Sequence, residues 1–337
     1  MSASTTKTIK TSPIPIPLIH TTKIKMQPFN LTLPNNTTVT GIHSLPQSLT
    51  SPSLRHRPLI VALHGGTYDS HYFNGTKEHS ASIPSLAYGI PFVAIDRPGY
   101  GGTSSFLPVP ADSDFNRETG LRLHRVVLPA LWTEYGQGCT CLVLLCHSLG
   151  GMGGIVASAL HALDQNPAHP YPLKGIILSG LGDKPPSSSR NIPAPEYEKT
   201  GPHHSLMNVN TKDKIMFGHG TCTSEVLAQS EALNAPIPDA ELAHFIDPWL
   251  RTWKEEWACH VKVPVMFALV ERDPFFEASG EEVRGCMEAF RESERVDGSL
   301  IKGAPHSVEL SHWSQGWYAR CFGFAMECAA AAAAALE

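Results

Sequence analysis

Five short runs along the chain place apolar residues one after another without alternation: PLIVALHG (58–65), PFVAID (91–96), CLVLLCHS (141–148), KGIILSG (174–180) and VPVMFALVERD (263–273). Unbroken runs of this length suit strands covered on both faces, as in a parallel sheet. A weaker sixth run, SLIKGAPH (299–306), extends the series. Ahead of them, PFNLTLPNNTTVTGIHSLP alternates apolar and polar positions on either side of Pro34-Asn35-Asn36, which predicts an antiparallel hairpin closed by a turn. Segments with helical spacing lie between the runs, among them 115–136 and 280–290, so strand and helix alternate. The pattern predicts an α/β domain with a mostly parallel central sheet, an N-terminal antiparallel hairpin and no internal repeat.

The alternation breaks between residues 184 and 255. There a Pro- and Ser-rich stretch, KPPSSSRNIPAPEY, leads into helical segments without a convincing strand, so this interval reads as a helical lid. It is inserted into a core made of 18–183 and 256–328. The lid holds Met207, Met216, Phe217, Phe245, Trp249 and Trp253. Trp249 and Trp253, four residues apart, are expected to anchor it to the core. Met216 and Phe217 stand beside Gly218 and Gly220, where an adaptable side chain on a mobile backbone suits contact with substrate. Tyr68 is a third substrate-binding candidate. Residues 1–17 read as a loose leader, and the alanine run with Leu336 and Glu337 (329–337) as a vector-derived tail.

Composition narrows the partners. With 337 residues, 42% hydrophobic and 17% charged, the chain has the make-up of a globular protein, and no apolar run approaches the ~20 residues of a membrane span. A net charge of −5 without a basic stripe speaks against nucleic acid, and the expected partner is a small molecule. The eight cysteines are irregularly spaced, several within apolar runs, as expected of reduced, buried thiols. The N-terminus lacks the apolar core of a secretory signal. A cytoplasmic location follows as the expectation, with the sequons at Asn30, Asn36 and Asn74 left unmodified. His203-His204 has no Cys or carboxylate companion at ligand spacing, and no phosphate-binding glycine motif is present, so neither a metal nor another cofactor is expected. The oligomeric state is not legible.

The chemistry concentrates at residues 144–154, LLCHSLGGMGG. A strand that ends on Ser148 and turns at once into a Gly-rich helix has the form of a nucleophile elbow, in which small neighbours let the turn tighten and lift the hydroxyl above the sheet. Cys146 stands where glycine is usual, yet is small enough to keep the steric argument. A serine hydroxyl needs a base, and that base needs an acid to orient it. Asp273 follows the fifth apolar run and His306 the sixth, so parallel strands deliver both to the edge of the sheet that carries Ser148. Glu271 and Asp183 remain alternative acids, and His312, placed in the final helix, an alternative base. His147 reads as a packing residue, and Asp96 and Arg97 as holding their own loop together. For the oxyanion, backbone NH groups of Gly66 or Thr67, in LHGGTYD, can join that of Leu149.

These segments together, HGG after the first run, DRPGYG (96–101) after the second, CHSLGG at the elbow, then ERDPF and APHSVELS, resemble the α/β-hydrolase superfamily over roughly residues 25 to 325. Within it the likeness is to esterase-type and lactonase-type members, including those of fungal natural-product pathways. The resemblance implies a serine hydrolase acting on an ester or lactone of a small hydrophobic molecule. A serine at the elbow argues against members with a carboxylate nucleophile, such as haloalkane dehalogenases and epoxide hydrolases. The same triad with water excluded would serve acyl transfer, lactone formation or a lyase-type reaction on a carbon-carbon bond. A non-catalytic binding protein would need a broken triad.

Overall fold

The computed structural model describes residues 26–46, 55–165, 169–186 and 194–335. Eight strands form one sheet: β1, Gln27–Thr32; β2, Thr38–Ser44; β3, Pro58–Leu63; β4, Phe92–Ile95; β5, Cys141–His147; β6, Leu173–Ser179; β10, Val265–Arg272; and β11, Val296–Pro305. Three more, β7 (Tyr197–Gly201), β8 (His204–Met207) and β9 (Ile237–Pro238), form a separate small sheet. The large sheet has the order β1-β2-β4-β3-β5-β6-β10-β11. Each pair from β4 through β11 is parallel, while β1 and β2 form the antiparallel hairpin and β2 adds antiparallel to β4.

Strand burial explains the unbroken apolar runs. In β3, Leu59, Val61 and Leu63 join the core on one face, and Ile60 and Ala62 the core on the other. The first core packs beneath the helix Gly150–Leu163, and the second beneath the long C-terminal helix Ser314–Ala334. With both faces covered, alternation has no solvent side to record. β11 lies at the edge and stays half-buried through most of its length, which accounts for its weaker signal. The hairpin turns at Asn36, whose φ of 61° is a left-handed conformation that asparagine tolerates.

One sequence expectation changes. The excursion between β6 and β10 is not purely helical, because β7, β8 and β9 pair antiparallel within it. Their signal is weak because β7 is exposed along most of its length and β9 spans two residues. Residues 329–334 of the alanine run continue the final helix, and Ala329 is fully buried in the core. Trp249 and Trp253 are buried in that first core and stack on one another. The leader 1–17 lies outside the described residues. All eight cysteines are free thiols.

β3 sits between β4 on one side and β5 on the other, so the chain changes direction across the sheet there. At such a switch point the loops leaving the carboxyl ends of neighbouring strands diverge and open a crevice. The loop after β3 carries Gly65 to Thr67, and the turn after β5 carries Ser148.

Candidate active site

Ser148 closes β5 with φ of 50°, a left-handed conformation that costs a non-glycine residue about 1–3 kcal/mol. The surrounding residues hold it there. Its NH donates to the Ser179 carbonyl at 2.7 Å, and its own carbonyl accepts from Gly151 NH at 2.8 Å as the helix Gly150–Leu163 begins. A Cβ on Gly150 would lie 2.5 Å from the His64 carbonyl oxygen, so no larger residue fits at that crossing. Cys146, the departure from the usual elbow pattern, is accommodated by Gly154, where a Cβ would come within 2.5 Å of its Sγ. The helix begins two residues after Ser148, which puts its partly positive N-terminal end at this turn.

Three side chains meet at this turn. His306 Nε2 lies 3.0 Å from Ser148 Oγ, and His306 Nδ1 lies 2.9 Å from Asp273 Oδ2. An ionised carboxylate only accepts, so the Nδ1–H donates to Asp273 and Nε2 is left to accept from the serine hydroxyl. Asp273 Oδ1 accepts from the backbone NH groups of Phe275, at 2.9 Å, and Phe276, at 3.2 Å. Asp273 and His306 are buried, and 7% of Ser148 is exposed. The Phe275 ring packs edge-on against the imidazole, with centroids 4.7 Å apart.

Gly66, Thr67 and Leu149 line the same pocket as Ser148. Thr67 is also left-handed, with φ of 63°, and its buried hydroxyl has no hydrogen-bond partner among the described residues. His64 steadies the loop's start. Its Nε2 accepts from Arg97 NH at 3.1 Å, so the proton sits on Nδ1 and donates to the Gly65 carbonyl at 2.7 Å. Burial pushes the His64 pKa down to about 3, which keeps it in this neutral form. The pocket holds about 460 Å³ of unfilled space, its open mouth included. Met207, Met216, Ile237, Leu242 and Phe245 of the inserted segment wall it, with Phe275 and Phe276 opposite and Tyr197 among the lining residues.

A family model described as "Alpha/beta hydrolase family" matches residues 60–319. The chain belongs to the alpha/beta hydrolase family. No curated protein matches its sequence. Among solved structures, this α/β-hydrolase is similar in fold to E-2-(acetamidomethylene)succinate hydrolase, with a TM-score of 0.56 and 13% identity over 89% of this chain and 99% of that one. A lipase in its open form gives a TM-score of 0.55 and 17% identity, covering 90% of this chain and 99% of the lipase. A haloalkane dehalogenase loop variant from Bradyrhizobium elkanii gives 0.52 and 14%, covering 91% and 99%. These likenesses are of fold, and the three names span different chemistries.

The other candidates lie elsewhere in this α/β-hydrolase. Glu271 is a half-exposed side chain that accepts from Lys302 Nζ at 2.6 Å and Gly303 NH at 2.8 Å. Asp183 accepts from Trp253 Nε1 at 3.1 Å and Lys254 Nζ at 2.6 Å. His312 is exposed and precedes the final helix rather than lying in it. Met216 lines the pocket, but its neighbour Phe217 faces a separate recess with Lys214 and Arg272, and Tyr68 is buried behind the pocket with its hydroxyl 3.2 Å from Ser307 Oγ. His147 stacks on Tyr72 and hydrogen-bonds Ser179 Oγ at 3.0 Å, and burial holds it neutral. Asp96 ties its loop to Thr40 Oγ1 at 2.6 Å and Ser70 NH at 2.9 Å. His204 Nε2 hydrogen-bonds the Gly99 carbonyl at 2.9 Å, and no cluster of three or more metal-ligating side chains exists among the described residues. Nor is any described helix long and apolar enough to cross a membrane.

Sequence reasoning missed two groups. Arg97 reaches out of its own loop to form a buried ion pair with Glu241, which Tyr100 also meets. Lys212 sends its ammonium beneath the loop that carries Thr67. An isolated Glu or Lys in a polar stretch carries no sequence signal of burial, so neither could be found before the fold was known.

Proposed function

We propose that this chain is a serine hydrolase that cleaves an ester or lactone bond of a small hydrophobic molecule through an acyl-enzyme. The observation that carries the reading is the continuous chain Ser148 Oγ, His306 Nε2, His306 Nδ1, Asp273 Oδ2, with links of 3.0 and 2.9 Å, at the floor of an apolar pocket. Ser148 Oγ attacks the substrate carbonyl while His306 Nε2 takes its proton, and Asp273 steadies the imidazolium without being protonated itself. Negative charge on the carbonyl oxygen falls between the NH of Leu149 and the loop Gly66-Thr67, at the positive end of the Gly150–Leu163 helix. His306 then returns the proton to the departing alcohol. Water then attacks the acyl carbon as His306 takes its proton, and His306 passes that proton to Ser148 Oγ as the carbon–oxygen bond breaks and the acid leaves.

The lining favours neutral, apolar substrates, because a charged group would lose its hydration among Met, Ile, Leu and Phe side chains without a partner. The test combines a fluorophosphonate probe with a panel of esters and lactones of graded length, read by mass spectrometry. Labelling on the peptide that contains Ser148, abolished in Ser148→Ala together with turnover, is the expected result. Unchanged labelling or turnover in Ser148→Ala would remove Ser148 from the chemistry.

A further inference from the structure

Lys212 lies on the helix Val209–Met216 of the inserted segment, and 2% of it is exposed. Its Nζ donates to three neutral oxygens: the Thr67 carbonyl at 2.6 Å, the Leu233 carbonyl at 2.8 Å and Asn234 Oδ1 at 3.1 Å. The ammonium also sits 3.7 Å from the centre of the Tyr68 ring. A buried cation is expensive, and among the described residues this one has no carboxylate in hydrogen-bond contact. Burial pushes its pKa down to about 7 against the opposing pull of Asp213 and Asp69. Packing alone would be served by a methionine or leucine here. What the ammonium adds is three directed donors that satisfy three carbonyl-type acceptors.

One of those acceptors belongs to Thr67, the left-handed residue beside Ser148. The Thr67 carbonyl takes a second hydrogen bond, from Ala235 NH at 2.9 Å, so both of its partners come from the inserted segment. That carbonyl lies in the rigid peptide plane shared with Tyr68, so holding it fixes the ψ of Thr67 and, together with the left-handed φ, the course of the Gly66-Thr67 loop that lines the pocket with Ser148. We infer that Lys212 is a positioning residue for the oxyanion-binding loop, holding Thr67 in its left-handed turn from the far side of the pocket wall. This rests on the serine-hydrolase reading above. It adds that the inserted segment contributes to the rate as well as to the shape of the pocket.

The experiment compares wild type, Lys212→Met and Asn234→Ala, with competent sites counted by fluorophosphonate titration of Ser148 so that kcat is expressed per folded site. Loss of a direct oxyanion donor costs about 10²–10³ in kcat, so loss of a residue that only aims one is expected to lower kcat about 10- to 100-fold. KM should stay within about threefold, and affinity for a trifluoromethyl ketone, which mimics the tetrahedral state, should fall in step with kcat. If Lys212→Met does not fold, Asn234→Ala, which removes one of the three acceptors that hold the ammonium, should show a smaller loss of the same kind. A normal kcat per titrated site in whichever variants fold, with only stability lowered, would overturn the inference and leave the serine-hydrolase reading intact. Failure of the wild type to be labelled at Ser148 would overturn both.

Discussion

Replacing Asp273 by asparagine tests whether the carboxylate orients His306, and the structure fixes the outcome closely. Asp273 Oδ1 accepts two backbone NH groups, from Phe275 and Phe276, while Oδ2 faces His306 Nδ1. An asparagine keeps its carbonyl oxygen on the two backbone donors, because turning it over would leave both NH groups facing an amide NH2. That costs about 1–3 kcal/mol for each buried donor left unpaired. The amide nitrogen is therefore driven toward His306. Since it can only donate, Nδ1 must accept, and the imidazole proton moves to Nε2, where it faces Ser148. The base is then lost without any change in shape.

The expected fall in kcat is about 10⁴-fold, the size seen when a triad histidine is held in the wrong tautomer. At 1.36 kcal/mol per factor of ten this is about 5.5 kcal/mol of lost transition-state stabilisation. The assay is hydrolysis of a p-nitrophenyl ester by wild type, Asp273→Asn, Glu271→Gln and Asp183→Asn, with circular dichroism to confirm folding. Glu271→Gln removes an ion pair from a half-exposed side chain and should leave kcat within about twofold. Asp183→Asn should lower stability by about 1 kcal/mol through its Lys254 contact with little effect on rate. If Asp273→Asn kept more than a tenth of the wild-type rate, or Asp183→Asn lost as much, the orientation argument would fail.

Because Met216 lines the pocket and Phe217 turns away from it, Met216→Ala should reorder preferences across an ester panel, whereas Phe217→Ala should leave the ranking intact and lower the melting temperature; the reverse pattern would misplace the pocket wall. Arg97→Met should cost about 3–5 kcal/mol in denaturant titrations by stranding the buried Glu241 carboxylate, and the double variant Arg97→Met/Glu241→Leu should recover most of that loss. Glu309 is buried, and burial raises its pKa against the pull of its donors Tyr72, Trp317 and Ser179. A carboxyl raised in the folded state binds more protons there than in the unfolded chain, so its share of stability falls as pH climbs above about 4, the unfolded value. Glu309→Gln should flatten that part of the stability curve, and an unaltered slope would count against the assignment.

What could be read from sequence and what could not divide along the line between core and insertion. Strands buried on both faces write themselves as unbroken apolar runs, and parallel strands send their following loops to one edge. Ser148 and Asp273 each sit just past such a run and His306 past the weaker edge strand, which is what made the three readable together as candidates. The insertion obeys no comparable rule. Met216 and Phe217 are neighbours at a helix end, and only the helix's orientation decides that one meets the pocket and the other a different recess. Glu241 and Lys212 look like surface charges in sequence, yet both are buried, Glu241 on Arg97 and Lys212 on the Thr67 carbonyl as well as on Leu233 and Asn234 of its own segment. Such contacts are set by how the insertion docks, a long-range property with no local period.

This division also limits what the fold can say about substrate. The groups proposed to react hang from the core, whose geometry follows from sheet topology, whereas much of the pocket's wall hangs from the insertion. Proteins that share the core can thus carry quite different chemistries and specificities. The Lys212 bridge qualifies that separation. It joins an insertion helix to the backbone of the loop beside the serine, so replacing the insertion changes the setting of Thr67 as well as the walls of the pocket. Grafting a foreign insertion onto this core should therefore cost rate on every substrate, including those its walls fit, unless a donor to the Thr67 carbonyl is carried with it. Measuring kcat per titrated site on grafts with and without a lysine at that position separates the two contributions. Equal rates in the two grafts would return the insertion to a role in selectivity alone.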